Sequence, residues 1–530
     1  MTTTSSDPAV APTADPSAGD PPGGGTPAGG TALGRWYDLV GLMVLALVVR
    51  LPAYFAEKAL SFDDGVFANS AVAMRDGDLP FRDVFSSQGP LFLPLVALGD
   101  LIGTRTLDSP RVLAVLSGLA AVAATYWTAL QLTDRLGALL AAGLLAVSGG
   151  LAWVTGPLAA DGPALAFAAL TMGLALRQRE NPSALRAALL GASLGAVLST
   201  KSLEAPVIVP VAIVLLAPVV SAARRRNLDT TGLVHGVVAA LSALAVFLVV
   251  TIPLGFAEVW DQSVRYRTEA AADRDVPATA GKLLSTLWDR DLATLAVALI
   301  CVAAGIIAFR RTGSARVAEV AADDSWSTAR RWTADGSDDW VPSGRLLAVS
   351  WLAFTLVWLV VVVSPLWRPH VAAVAIPLVL VLGIYRPPAR IMAIAAVVVV
   401  PLAVVQLDGL LAPGGYTGTE AQLVEALDEL PPGAWVISDE PGVVWRSGRR
   451  TTADLVDPSM LRHEQGRYDS DTLTRDAEDP RVCAFIRISD QRFAAFDDLP
   501  DRLVSLGFDP VEDIGDGLVL FVRQDCPTAL

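Results

Sequence analysis

The sequence predicts a polytopic α-helical membrane protein with about eleven transmembrane helices, followed by a small C-terminal external α/β domain. Three features carry that reading. Of 530 residues, 53% are hydrophobic and only 18% charged, far too apolar for a water-soluble chain of this length. Apolar runs of about 17 to 25 residues, each long enough to cross a bilayer, recur along the chain. After about residue 412 the pattern changes to short strands between amphipathic stretches.

The elements follow in order. Residues 1–33 are mostly Pro, Gly, Ala, Ser and Thr; they bury too little surface to offset their ordering entropy and are expected as a disordered cytoplasmic tail. The first apolar run, 36–55, is too long and too far from the start for a cleaved signal peptide. Further spans are expected near 110–131, 136–154, 162–177, 185–200, 203–220, 231–254, 291–309, 344–364, 369–385 and 389–411. With the amino terminus inside, the arginine-rich short loops at 133–135, 177–186, 224–226, 310–345 and 386–390 all fall on the cytoplasmic side, as the positive-inside rule requires. The stretch 89–103 is apolar but short and interrupted by Pro94 and Asp100. Counting it as a span would invert every later loop, so it is expected to lie at the interface within a long first external loop, 56–109. The chain thus divides into a tail, a transmembrane domain over 34–411 and an external domain over 412–530. No repeat of the whole chain is visible, which speaks against a transporter built from duplicated halves.

The external domain is expected to hold strands in "GAWVISDE", "VCAFIRI" and "LVLFVR" and an amphipathic helix at 420–430. Of the formal net charge of -14, most belongs here, because 23 acids but only 11 arginines follow Tyr416. Cys483 and Cys526 are a candidate disulfide if this domain lies outside the cell, while Cys301 sits in an apolar span. The three match no metal-binding spacing. No nucleic-acid partner and no cofactor are expected.

Ionisable groups near a membrane are costly and are therefore candidates for function. In this topology they gather on the outer face: Asp63 and Asp64 beyond the first span, Asp161 in "AADGPAL", Lys201 and Glu204 in "STKSLEAP", and Arg368 with His370 in "PLWRPH". Asp63 and Asp64 read as a helix start or as a carboxylate pair in which repulsion raises one group toward general-base range; a metal pair is the weakest reading. Lys201 reads as a snorkelling lysine or as a phosphate ligand. Only Lys58, Lys201 and Lys282 occur in the chain, so lysine is not its ordinary way of supplying charge, and a compact ammonium suits a lipid-borne phosphate. Arg368 and His370 fit the same role, a turn arginine held by carbonyls being the alternative. Asp161 caps the helix starting at Pro163 or joins the site. Arg265 and Arg267 in "VRYRTE" read as loop charges, contact with substrate being the alternative.

In this order the motifs resemble the GT-C superfamily of integral-membrane glycosyltransferases, in the branch of the protein O-mannosyltransferases and the bacterial aminoarabinose transferase of lipid A. The residues that carry the likeness are Asp63-Asp64-Gly65, Ala71, Ala73 and Gly77, Pro80-Phe81-Arg82-Asp83, Gln88-Gly89-Pro90-Leu91, Asp161-Gly162-Pro163, Thr200-Lys201-Ser202, and Arg368-Pro369-His370 leading to Pro377. The family's acidic pair ends in Glu where this chain has Asp64, its "KPP" turn begins here with Gln88, and its "TKG" glycine is Ser202.

The resemblance implies a GT-C fold and transfer, with inversion, from a polyprenyl-phosphate sugar donor to an unidentified glycan, lipid or protein hydroxyl at the outer face of the plasma membrane, in cell-envelope glycan or glycoconjugate synthesis. Asp63 would be the base. Lys201, Arg368 and His370 would hold the leaving phosphate, Asp64 and Asp161 would orient hydroxyls, and Gln88 would stand at the donor-side turn. The competing expectation is a transporter or flippase of lipid-linked sugars.

Overall fold

The computed structural model describes residues 32–224, 230–269, 275–323, 329–332, 338–511, 514–515 and 519–526. The tail expected over 1–33 thus lies almost wholly outside the described residues, as does the end of the 224–226 arginine loop. Helices stand at every expected span: Ala32–Tyr54, Val112–Ala129, Arg135–Val147, Asp161–Glu180, Ala184–Thr200, Ile208–Arg224, Thr231–Thr251, Val276–Asp323, Gly344–Val361, Ala375–Ile384 and Ala389–Leu411. Among the described residues, seven helical segments are long and apolar enough to cross a membrane. Shorter apolar helices stand at Phe92–Ile102, Arg135–Val147, Ala184–Thr200 and Arg368–Ile384, and helix Asp161–Glu180 is part of the same bundle.

One span is longer than its hydropathy. The run expected over 291–309 is the middle of a 48-residue helix, Val276–Asp323. Helical hydrogen bonding continues through Lys282, Asp289 and Arg290, whereas hydropathy marks only the part suited to lipid. The loop expected over 310–345 accordingly begins as helix. It also holds two antiparallel strands, β1 (Ala329–Trp332) and β2 (Asp338–Val341).

The loop expected over 56–109 folds into helix Phe62–Asp76 and helix Phe92–Ile102. Ser61 Oγ accepts the Asp64 N–H at 3.2 Å to start the former, and its two first-turn acids favour the positive end of the helix dipole. Gly77, at φ 106°, ends it. Helix Phe92–Ile102 has 11 residues, about 16 Å, too short to span. It presses Phe92 edge-on against Phe67, ring centroids 4.6 Å apart, so Pro94 and Asp100 interrupt no membrane crossing.

The C-terminal residues form a four-stranded sheet in the order β3-β4-β6-β5: β3 (Trp435–Ser438), β4 (Val482–Ile486), β5 (Phe508–Val511) and β6 (Leu520–Arg523). β3 and β4 run parallel, and the other pairs run antiparallel. Side-chain alternation sends Val436 and Ala484 into one core with Leu423 and Leu427. Ile437, Phe485 and Phe521 enter another with Leu473 and Phe508. β5 escapes a sequence reading because "FDPV" carries Asp and Pro, residues a strand tolerates at a sheet edge. Cys483 and Cys526 are disulfide-bonded, their Cα atoms 5.3 Å apart.

This sheet is fastened to the membrane domain. Arg446 binds Asp108 at 2.6 Å, Trp445 Nε1 donates to the Leu107 carbonyl at 2.9 Å, and Asn69 Nδ2 donates to the Pro441 carbonyl at 2.8 Å. The backbones meet at Gly65, where a Cβ would stand 2.3 Å from the Gly442 nitrogen.

Candidate active site

Lys201 lies at the break between helix Ala184–Thr200 and the 3-10 turn Ser202–Val207, in extended backbone at φ -156°. The 88–91 turn braces that break: Gly89 N–H donates to the Thr200 carbonyl at 3.1 Å and Leu91 N–H to the Ser199 carbonyl at 2.8 Å. Only glycine permits the approach, because a Cβ at Gly89 would stand 2.2 Å from the Ser199 oxygen. The Lys201 ammonium donates to Asp161 Oδ2 at 2.7 Å. Asp161 opens helix Asp161–Glu180, whose dipole favours its charge. Asp161 Oδ1 and Glu204 Oε1 are buried with no hydrogen-bond partner. Orphaned buried acceptors are rare and mark places where a donor arrives from outside the protein.

Beside this cluster, Asp63 is partly buried in the first turn of helix Phe62–Asp76, and no described group hydrogen-bonds its carboxylate. Desolvation pushes it up to about 6; Lys201 pulls it down, Asp161 and Asp457 push it up, and Arg267 pulls it down. That value suits a base working near neutral pH.

A cavity of about 390 Å³ adjoins these groups. Gln88, Lys201, Arg267 and His370 are among its polar lining, and Phe247, Phe256, Trp260, Trp358, Val362 and Val363 are among its apolar walls. His370 Nδ1 accepts the Trp367 N–H at 3.3 Å, which leaves Nε2 to carry the ring proton. Gln88 is buried. Its backbone carbonyl accepts from Ser263 Oγ at 2.6 Å, and its side-chain Nε2 donates to Ser87 Oγ at 3.4 Å. Among the described residues, no three His, Cys, Asp or Glu side chains converge on a metal position.

The sequence-predicted residues therefore separate. Asp63, Asp161 and Lys201 form one electrostatic group, and Gln88, Lys201 and His370 share the cavity. Asp64 is a correction: it points away from Asp63 into the scaffold, fully buried, paired with Arg111 at 2.6 Å. It also accepts the Leu60 N–H at 3.0 Å and the Leu158 N–H at 2.9 Å. With both oxygens taken, it has none left to orient a sugar. Arg111 further donates to the carbonyls of Tyr54, Ala56 and Lys58 and lies against the Trp445 ring at 4.6 Å. Arg368 is a second correction: it is exposed and absent from the cavity wall, because the turn that directs His370 inward directs residue 368 outward.

Arg267 takes the place expected of Arg368. Its guanidinium donates to Ser87 Oγ at 2.9 Å and to the Ser87 carbonyl at 3.3 Å while lining the cavity. Arg265, two residues earlier, is exposed and pairs with Glu269 at 2.7 Å. The available signal was phase: arginines two apart on a helix face in different directions, so the two need not share one environment.

Residues 87–252 match the sequence profile of the Dolichyl-phosphate-mannose-protein mannosyltransferase family. No curated protein sequence matches the chain. The fold is similar to that of ArnT from Cupriavidus metallidurans. In its apo state the TM-score is 0.57 at 14% identity, over 93% of this chain and 98% of that one. In the structure of ArnT bound to undecaprenyl phosphate it is 0.54 at 13% identity, with the same coverage of 93% and 98%. The chain thus has a fold similar to that of ArnT over nearly its whole length, and its residues 87–252 are similar in sequence to the Dolichyl-phosphate-mannose-protein mannosyltransferase family.

Proposed function

We propose that the protein is an inverting glycosyltransferase that moves a sugar from a polyprenyl-phosphate carrier to an acceptor hydroxyl at the outer face of the plasma membrane. The observation that carries this reading is the cavity: two basic side chains, Lys201 and Arg267, stand within walls that include Phe, Trp, Val, Leu and Pro. A headgroup phosphate meets the cations while the isoprenoid keeps the apolar wall. Undecaprenyl phosphate bound to ArnT, the similar fold, supports the same class of ligand. The Cys483–Cys526 disulfide suits an oxidising, extracytoplasmic compartment.

In this mechanism the Asp63 carboxylate takes the proton of the acceptor hydroxyl. The oxygen attacks the anomeric carbon from the face opposite the phosphate, a new C–O bond forms, and the bond to phosphate breaks with its electron pair leaving on polyprenyl phosphate. Lys201 and Arg267 offset the charge that develops on the departing oxygen, and His370 donates from Nε2. Asp161 holds Lys201 through Oδ2 and offers Oδ1 to a sugar hydroxyl. The carboxylates stand at helix ends rather than deep within spans, which favours transfer chemistry over the proton-coupled transport of a flippase.

The test is release of undecaprenyl phosphate from a panel of undecaprenyl-phosphate sugars by the detergent-solubilised full chain, with cell-envelope extract as acceptor. Turnover with one donor, abolished in a folded Asp63→Asn variant, is expected. Tight donor binding without turnover in either protein would sink the reading in favour of transport.

A further inference from the structure

The C-terminal region reaches the site. Val456 is fully buried in one cluster with Val66 and Phe67, from the helix bearing Asp63, and with Leu158 and Ala160, from the segment leading to Asp161. The next residue, Asp457, is 7% exposed. Its Oδ1 accepts the Ser459 N–H at 3.1 Å, and no described cation pairs with its carboxylate. The nearby cation does other work. Arg462 binds the Asp457 backbone carbonyl at 3.0 Å and the Asp454 carboxylate at 3.1 Å, and stacks on Phe85 at 4.2 Å. It thereby fixes the loop while leaving the Asp457 charge unanswered. Four residues on, Leu461 joins the cavity wall, and Tyr266 Oη and Ser459 Oγ lie 3.4 Å apart. The C-terminal region thus contributes both apolar wall and carboxylate to the site.

We infer that Asp457 is an acceptor-binding residue, accepting a hydrogen bond from a second hydroxyl of the acceptor while Asp63 takes the proton of the first, and that the acceptor is a neutral polyhydroxylated glycan. An ionised carboxylate is acceptor-only, and with Oδ1 held by the Ser459 N–H the Asp457 carboxylate keeps acceptor capacity for a donor brought by the ligand. A polyol presents several O–H donors at once. An acceptor bearing phosphate or carboxylate near its reactive hydroxyl would face Asp63, Asp161 and Asp457 together and be repelled. The charge of Asp457 also helps keep Asp63 protonatable near neutral pH, as part of a field in which Asp161 acts likewise and Lys201 and Arg267 oppose.

The inference rests on the transferase reading and is tested with the full chain in detergent. Undecaprenyl-phosphate sugars serve as donors, and neutral oligosaccharides are compared with the same oligosaccharides oxidised to uronic acids. Asp457→Asn, which keeps the contact to Ser459, is expected to raise KM for the neutral acceptor at least tenfold. Undecaprenyl phosphate binding should stay within twofold, and the acid limb of kcat/KM should move to lower pH because Asp63 loses a like charge. Asp457→Glu should recover part of the acceptor affinity, and thermal unfolding of each variant reports folding. Unchanged acceptor KM in folded Asp457→Asn, equal loss of donor and acceptor affinity, or preference of the wild type for uronic acids would overturn the inference and leave the transferase reading standing. No turnover by the wild type with any donor would overturn both.

Discussion

Two groups of charges lie at the same end of the helical bundle and are built in opposite ways. Around Arg111 the charges are answered: Asp64 pairs with it inside a fully buried contact, and backbone carbonyls and the Trp445 ring take the rest of the guanidinium. Around Lys201 the account is left open. Asp161 and Glu204 each keep a buried oxygen without a donor, and Asp63 has no hydrogen-bonding partner among the described groups. The first group holds the end of the first span, the second span and the C-terminal sheet together. The second keeps acceptor capacity that, under the proposed function, a ligand with hydroxyls and phosphate would use. Ionisable residues of similar composition thus serve structure or chemistry according to whether their partners are supplied by the fold.

The largest effect that would sharpen this contrast is at Asp63. Asp63→Asn is expected to lower transfer by about 10² to 10⁴, the usual share of a general base, with an unchanged melting curve; retained turnover would break the assignment. At the satisfied group the signs reverse. Arg111→Met strands the Asp64 charge and should cost about 3–5 kcal/mol of stability, read by denaturant unfolding in detergent, with the double variant Arg111→Met, Asp64→Asn recovering much of it. A stable single variant would show that the contact is not structural.

Next come the cavity cations. Lys201→Met or Arg267→Met should each weaken undecaprenyl phosphate binding by about tenfold to a hundredfold, the loss of a charged hydrogen bond, while Arg265→Met should not. Similar losses at Arg265 and Arg267 would place both in the same environment and refute their opposite orientation. The pH profile follows with a smaller effect. Asp63 works as the carboxylate, and its value is pushed up to about 6, so kcat/KM should rise with pH through 6, level off above it, and fall about tenfold per unit below it. A limb near 4 would mean that Asp63 is not desolvated in the working enzyme. The smallest expected effect is at Arg368: Arg368→Ala should change turnover and phosphate binding by less than about twofold, as for an exposed side chain off the site.

Much of this was legible in the sequence. Runs such as 231–254 and 389–411 announced their helices because hydropathy over twenty residues is a local property, and the proline-interrupted 89–103 stretch announced that it would not cross. Asp63, Asp161, Lys201 and His370 stood out as candidates because charge at a span end is expensive. Less legible were Asp64 against Asp63 and Arg265 against Arg267. Neighbours in sequence look equivalent, and what separates them is the phase of a short helix packed between other elements. β5 was hidden by the proline that its edge position tolerates. Asp457 gave no local sign, since its environment comes from residues nearly 400 positions earlier.

By itself, the sequence determined that this protein is a membrane-embedded helical bundle with a small α/β region at its end, and in which order the pieces come. Those properties follow from the transfer of each segment from water to lipid and from strand and turn chemistry within a few residues. The tertiary structure alone decided which charges are neutralised and which are left for a ligand. It set Asp64 on Arg111, turned Arg267 rather than Arg368 into the cavity, and brought Asp457 beside Asp63. Electrostatic partnership depends on distance and desolvation across the folded chain, and neither is encoded in any one stretch of it.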